Sequence, residues 1–99
     1  MADFTKAGTD RGDLEKEINH ILISTKITYH SYIVNLGDLT KEELESDLME
    51  YQRQLVANIL PVVKKAEATK IPKIIDMAYE IRHLMEDLIS KIEERIKQL

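Results

Sequence analysis

Apolar side chains recur at helical spacing along three long segments of this chain. In the first segment, spacings of three and four residues relate Leu14, Ile18, Ile21, Thr25, Tyr29, Tyr32 and Leu36. Such spacing places side chains on one side of an α-helix. Asp13 is an acceptable N-cap, and glycine, as at Gly37, is the residue type that best ends a helix. The pattern predicts a first helix over about residues 13–36.

The middle of this first segment also has some strand character. Between Ile21 and Val34 the residues are rich in Ile, Thr, Tyr and Val, which favour β-strands. Alternate positions from Ile21 to Tyr29 are also apolar or β-branched, so a strand or hairpin is an alternative for 21–34. A hairpin would need a turn dipeptide, and none interrupts the run. We therefore favour a helix.

The second segment opens with the clearest local signal in the sequence. Thr40 can accept a hydrogen bond from the Glu43 backbone while the Glu43 carboxylate reaches back to Thr40, and Leu39 can pack on Leu44. The apolar face that follows consists of Leu44, Leu48, Tyr51, Leu55, Ile59, Val62 and Ala66. Pro61 lacks an N–H and crowds the preceding turn. The pattern predicts a helix over about 40–68 with a kink or break at Pro61.

The third segment follows a proline that suits the first turn of a helix. Pro72 disfavours helical backbone at Ile71 and has a φ that is already suited to a helix start. The apolar positions then follow a heptad, as in coiled coils: Ile71, Ile74, Ala78, Ile81, Met85, Leu88, Ile92 and Leu99. We expect a helix over about 71–98.

These segments predict an all-α fold. Three long amphipathic helices with short links would form an up-down-up bundle, or a helical hairpin completed by oligomerisation. Residues 1–12 have two glycines and no apolar periodicity, so we expect a flexible N-terminal arm before a single helical domain at 13–99.

Composition narrows the possible partners and location. The chain has 99 residues and no cysteine. Its net charge of −4 disfavours nucleic acid as the main partner. Neither a secretory signal nor an apolar run long enough to span a membrane is present. The expected location is therefore the cytoplasm.

The first segment carries more apolar surface than one helix face needs. Lys26 is the one formal charge between Ile18 and Gly37. A helix that is apolar on several sides is normally buried on several sides. We therefore expect an interface at Ile23, Ile27 and Val34, together with Tyr29 and Tyr32. The partners expected there are a second copy, as a homodimer, and an unidentified protein.

A carboxylate–histidine metal bundle is one alternative function. Glu-x-x-His occurs at Glu17–His20 and at Glu80–His83, and di-iron bundles use this spacing, with further ligands that Glu43, Glu45 or Glu50 could supply. The heptad places Glu80 and His83 opposite the apolar face, towards solvent. We therefore predict no bound metal and no cofactor.

The other alternative is a nucleic-acid-binding regulator. Four basic residues cluster near the turn between the second and third segments: Lys64, Lys65, Lys70 and Lys73. They could hold a few phosphates, but no aromatic side chain is interleaved for base stacking.

Catalysis has little support in the sequence. His30 lacks the neighbours of a phosphotransfer histidine, and no serine has the context of a catalytic nucleophile. The sequence therefore predicts no catalytic residue. It favours a small non-enzymatic protein that acts through protein–protein interaction, such as an adaptor, an inhibitor, an immunity protein or a small structural subunit.

Overall fold

The computed structural model describes the backbone of residues 2–99 and the side chains of residues 12–99. Helices α1 (Ala2–Asn35), α2 (Lys41–Gln54), α3 (Leu60–Thr69) and α4 (Pro72–Gln98) account for most of this chain. A 3-10 turn at Leu36–Asp38 follows α1, and a π-helical segment at Leu55–Ile59 joins α2 to α3. No strand occurs among the described residues, which confirms the all-α prediction.

Helix α1 runs without interruption through the segment with strand character. Residues 21–34 are all helical, so the hairpin alternative is wrong. Asp13, expected as an N-cap, lies inside the helix, because a helix already under way can pass through an exposed Asp at a small cost in propensity. The flexibility predicted for residues 1–12 stays a prediction: the backbone is helical from Ala2 onward, and the side chains before Gly12 lie outside the described residues.

Helix α1 ends close to the expected place but by a different device. The 3-10 turn at Leu36–Asp38 carries the chain out of the helix, and Gly37 does not adopt the left-handed backbone that favours glycine at helix ends. The left-handed backbone expected at Gly37 is instead found at Lys70, at the end of α3.

The start of α2 confirms the predicted capping box. The Thr40 hydroxyl accepts a 3.1 Å hydrogen bond from the Glu43 backbone N–H, and the Glu43 carboxylate accepts a 2.9 Å bond from the Thr40 N–H. These bonds satisfy backbone donors that a helix start leaves free. Accepting the Thr40 N–H also lowers the pKa of Glu43.

Pro61 is accommodated by a change in helix type. The five residues Leu55–Ile59 have π-helical hydrogen bonding, and the Leu60 N–H donates to the Leu55 carbonyl. Pro61 then occupies the first turn of α3, where its missing N–H costs least. The interruption predicted at Pro61 thus occurs in the turn that precedes it, as a single π-helical turn inside a longer helical rod.

A tight turn joins α3 to α4. Lys70 has φ 57° and ψ 23°, which is the left-handed region, and it is the one non-glycine residue of the described backbone with positive φ. Ile71 is extended, as expected before Pro72. Helix α4 then buries most of its heptad positions, whereas Leu99 is 56% exposed because it lies beyond the end of the helix.

The three rods α1, α2–π–α3 and α4 pack against one another around a shared core. The larger buried cluster includes Ile18 of α1, Val63 of α3 and Ile81 of α4. A smaller cluster is built on Leu44, Leu88 and Ile92. Three polar contacts join α1 to α4, and later residues of α1 contact later residues of α4. Glu15 pairs with Lys73 at 3.0 Å, Lys26 pairs with Glu80 at 3.3 Å, and the Tyr29 hydroxyl bonds Asp87.

Within the part of the chain that is described, no helix combines the length and the apolar character needed to cross a bilayer.

Candidate functional site

The outer side of α1 exposes three large apolar side chains. Ile23 is 51% exposed, Ile27 is 62% exposed and Val34 is 80% exposed. Spacings of four and seven residues place them on one face of the helix, and we call them the α1 stripe. Single exposed apolar residues are ordinary, but an aligned set of three on one helix marks a candidate contact surface.

The two tyrosines expected at the same surface instead make contacts inside the bundle. The Tyr29 hydroxyl donates to the Asp87 carboxylate of α4, and the Tyr32 hydroxyl donates to the Asp47 carboxylate of α2 at 2.7 Å. Both rings are half-buried and pack on the smaller cluster. The predicted interface residues therefore divide into an exposed stripe and two tyrosines that join helices.

The surface around the α1 stripe is electrically neutral. Lys26 forms a 3.3 Å ion pair with Glu80 of α4, and no residue between Ile27 and Gly37 carries a formal charge. Charged residues make up 32% of the chain, so this neutral stretch is unusual for the molecule. An uncharged surface favours an equally uncharged partner, since desolvating an unpaired charge is costly.

A groove separates α1 from α2. No Cα atom of α2 lies within 8 Å of a described Cα atom of α1, although packed helices have axes about 8–10 Å apart. We call this opening the α1–α2 groove. Its α1 wall consists of His20, Ile21, Ser24, Thr25 and Thr28, and its opposite wall consists of Tyr51, Gln54, Asn58, Ile59 and Val62. Ile81 and Met85 of α4 line its floor, and this part holds about 310 Å³.

The groove continues along α1 towards the 3-10 turn. A second hollow of about 410 Å³ shares Thr28 and Tyr51 with the first and is also lined by Ser31, Asn35 and Leu39. Ile27 of the α1 stripe lines it as well. The stripe and the groove are therefore adjacent parts of one surface.

Tyr32 and Tyr51 bridge the groove near this end. Their rings meet edge to face with centroids 5.6 Å apart. Burial, followed by the hydrogen bond to Asp47, raises the pKa of Tyr32 well above its ordinary value, and burial near Asp47 also raises that of Tyr51. Both phenols therefore stay neutral at physiological pH, and no Asp, Glu, Lys or Arg lines the groove.

The two Glu-x-x-His pairs lie on exposed helix surfaces. Glu17, His20, Glu80 and His83 are all exposed, and Glu80 pairs with Lys26. In residues 12–99, no three potential ligands of the His, Cys, Asp and Glu types come together as a metal site. His30 is also exposed, and its ring stands edge-on to Tyr29 at 5.6 Å.

One of the four lysines near the α3–α4 turn is paired with an acid. All four are exposed, but the Lys73 ammonium forms a 3.0 Å ion pair with Glu15 of α1. Lys70 holds the strained turn position. A nucleic-acid contact at these lysines therefore stays a prediction.

The sequence interpretation missed the α1–α2 groove. Its α1 wall uses small polar residues, Ser24, Thr28 and Ser31, none of which was predicted to lie at an interaction surface. A signal was present, because spacings of four and three residues put these small side chains on one helix face. What the sequence could not show was that α2 would stand away from this face.

Comparison with known proteins does not add a relative: no family model matches the chain, and no curated protein or solved structure matches it.

Proposed function

We propose that this protein is a small non-enzymatic helical protein that acts through protein–protein interaction, and that it self-associates through the outer side of α1. The observation that carries the proposal is the exposed α1 stripe, Ile23, Ile27 and Val34, on a neutral surface. An adaptor, an inhibitor, an immunity protein or a structural subunit would each use such a surface.

The free energy available at the stripe is large for so small a chain. Full burial of one large aliphatic side chain contributes roughly 1.5–3 kcal/mol, so the three partly exposed side chains together could contribute several kcal/mol to association. Association also costs translational and rotational freedom, so the stripe alone would give modest affinity. A stable complex therefore needs further contact area beside the stripe.

Within each protomer we propose an up-down-up bundle. The ion pairs Glu15–Lys73 and Lys26–Glu80 join α1 and α4 in the same order along both helices, which supports a parallel direction. The α2–π–α3 rod runs between them in sequence and would take the opposite direction. The parallel α1–α4 pair would leave the outer side of α1 free for a second copy.

The experiment is to measure molar mass by light scattering at tens of micromolar for wild type and for Ile27→Glu. We expect a dimeric wild type and a monomeric, fully helical variant, because a carboxylate would have to be desolvated at the contact. Met49→Glu is the matched control, since Met49 is 73% exposed on α2 outside the α1 stripe, and it should remain dimeric.

Two results would contradict the proposal. A monomeric wild type at these concentrations removes self-association. Equal dimer dissociation by Ile27→Glu and Met49→Glu would show that added negative charge, rather than loss of the stripe, separates the chains.

A further inference from the structure

We propose that the α1–α2 groove is the receptor for the α1 stripe of a second copy, so that each chain inserts its stripe into the other's groove. This inference rests on the proposed self-association and specifies its geometry. The result would be a contact in which α1 of each chain lies over the groove between α1 and α2 of its partner.

The layout of the surface is self-complementary. Ile27 belongs to the stripe and also lines the groove, beside Thr28 and Ser31. A two-fold interface requires the same patch to present both a projecting and a receiving element, because each copy plays both parts. In a two-fold pair, each stripe would lie over the partner's groove at the same time.

The groove has the form that a helix requires. Its α1 wall exposes the short side chains of Ser24, Thr28 and Ser31, which allow another helix to approach closely. The two hollows share Thr28 and Tyr51 and so extend along several turns of α1. An amphipathic helix laid into an apolar groove, anchored at spacings of three, four and seven, is a recurrent mode of recognition.

The groove offers apolar surface to incoming side chains. This surface comes from Ile21, Tyr51 and Val62, which are half-buried, because Ile81 and Met85 beneath them are already buried within the protomer. The Thr25 hydroxyl donates a 2.7 Å hydrogen bond to the Ile21 carbonyl, so its hydrogen-bonding demand is met within α1. Covering this wall therefore leaves that donor satisfied.

The absence of charge favours a second copy over an acidic or basic helix as the occupant. No Asp, Glu, Lys or Arg lines either hollow, and α1 beyond Lys26 carries no formal charge up to Gly37. An acidic or basic helix would bury its charges without a counter-charge. The face of a second copy is neutral in the same way, so its insertion avoids this cost even though the whole chain has a net charge of −4.

The test uses the absence of cysteine from the natural sequence. Ile27→Cys protein, carrying a tag that changes its mass, is mixed with Gln54→Cys protein and mildly oxidised. Gln54 is on the wall opposite α1, so a disulfide between the two chains requires the stripe of one to enter the groove of the other. Met49→Cys replaces Gln54→Cys as the control, because Met49 is exposed on α2 outside the groove lining.

We expect a shift to the mass of the mixed pair for Ile27→Cys with Gln54→Cys and no such shift with Met49→Cys. Disulfides between two Ile27→Cys chains, without the mixed pair, would overturn groove insertion and leave self-association standing. A wild type that sediments as a monomer would overturn both.

A second variant blocks the groove and leaves the stripe intact. Ser24→Trp places a large ring at the α1 wall and should shift the protein from dimer to monomer in sedimentation velocity. Ser46→Trp, at an exposed serine of α2 outside the groove lining, should remain dimeric. A Ser24→Trp dimer as stable as wild type, with unchanged helicity, would contradict insertion.

Discussion

The Tyr32 hydroxyl of α1 donates a 2.7 Å hydrogen bond to the Asp47 carboxylate of α2, and this bond connects two helices whose backbones stand apart. The Tyr32 ring also meets the Tyr51 ring edge to face. Side chains, rather than close backbone packing, therefore set the separation of α1 and α2 at this end of the groove.

Removing this hydroxyl should destabilise the fold. We expect Tyr32→Phe to lower the free energy of unfolding by about 1–2 kcal/mol, since hydrogen bonds to charged groups are stronger than neutral ones and Asp47 would lose its donor. Urea denaturation followed by circular dichroism measures the change. Tyr79→Phe is the control, because the Tyr79 hydroxyl bonds Glu67 at an exposed site and should matter less. Equal effects would contradict a special role for Tyr32.

The tyrosines should make the fold sensitive to alkaline pH. Burial and the bond to Asp47 raise the pKa of Tyr32, and the bond to Asp87 and then burial raise that of Tyr29. A folded pKa above the unfolded value of about 10 means that the stabilisation is complete below pH 10 and is lost as pH rises further. We expect the free energy of unfolding to fall above about pH 10. Ultraviolet titration should show phenolate forming at higher pH in folded than in urea-unfolded protein; coincident curves would contradict this.

The turn between α3 and α4 should accept glycine with a gain in stability. Lys70 holds a left-handed conformation that costs an L-residue roughly 1–2 kcal/mol. Glycine avoids this cost, but it also makes the unfolded chain more flexible, which offsets part of the gain. Lys70→Gly should therefore raise the free energy of unfolding by up to about 1 kcal/mol. Lys70→Ala removes the same charge but keeps the strain, so it should bring no such gain in a thermal melt. A gain from alanine equal to that from glycine would identify the lysine charge as the cause.

The capping box should set the stability of α2. Thr40→Ala removes the acceptor for the Glu43 N–H and should cost about 1 kcal/mol of unfolding free energy. Thr40→Ser keeps the acceptor and should behave like wild type in the same denaturation assay. If serine fails to restore stability, the threonine methyl group rather than its hydroxyl is the stabilising part.

Features that depend on neighbouring residues could be predicted from the sequence. The Thr40 capping box, the extended residue before Pro72 and the apolar face of α4 all follow from spacings of a few positions, where backbone hydrogen bonding and helical periodicity act directly. Local signals were weaker at Pro61, where the position of an interruption was evident but its π-helical form was not.

Which side of α1 stays exposed depends on how the helices pack and could not be predicted from the sequence. The sequence showed that α1 has surplus apolar surface, but Tyr29 meets Asp87 across 58 positions, and no local pattern specifies such a pair. The same contacts turn Tyr29 and Tyr32 inward, leave Ile23, Ile27 and Val34 outside, and hold α2 far enough away to open a groove. Helical periodicity fixes which residues share a face, whereas the packing of all three rods together determines what each face meets.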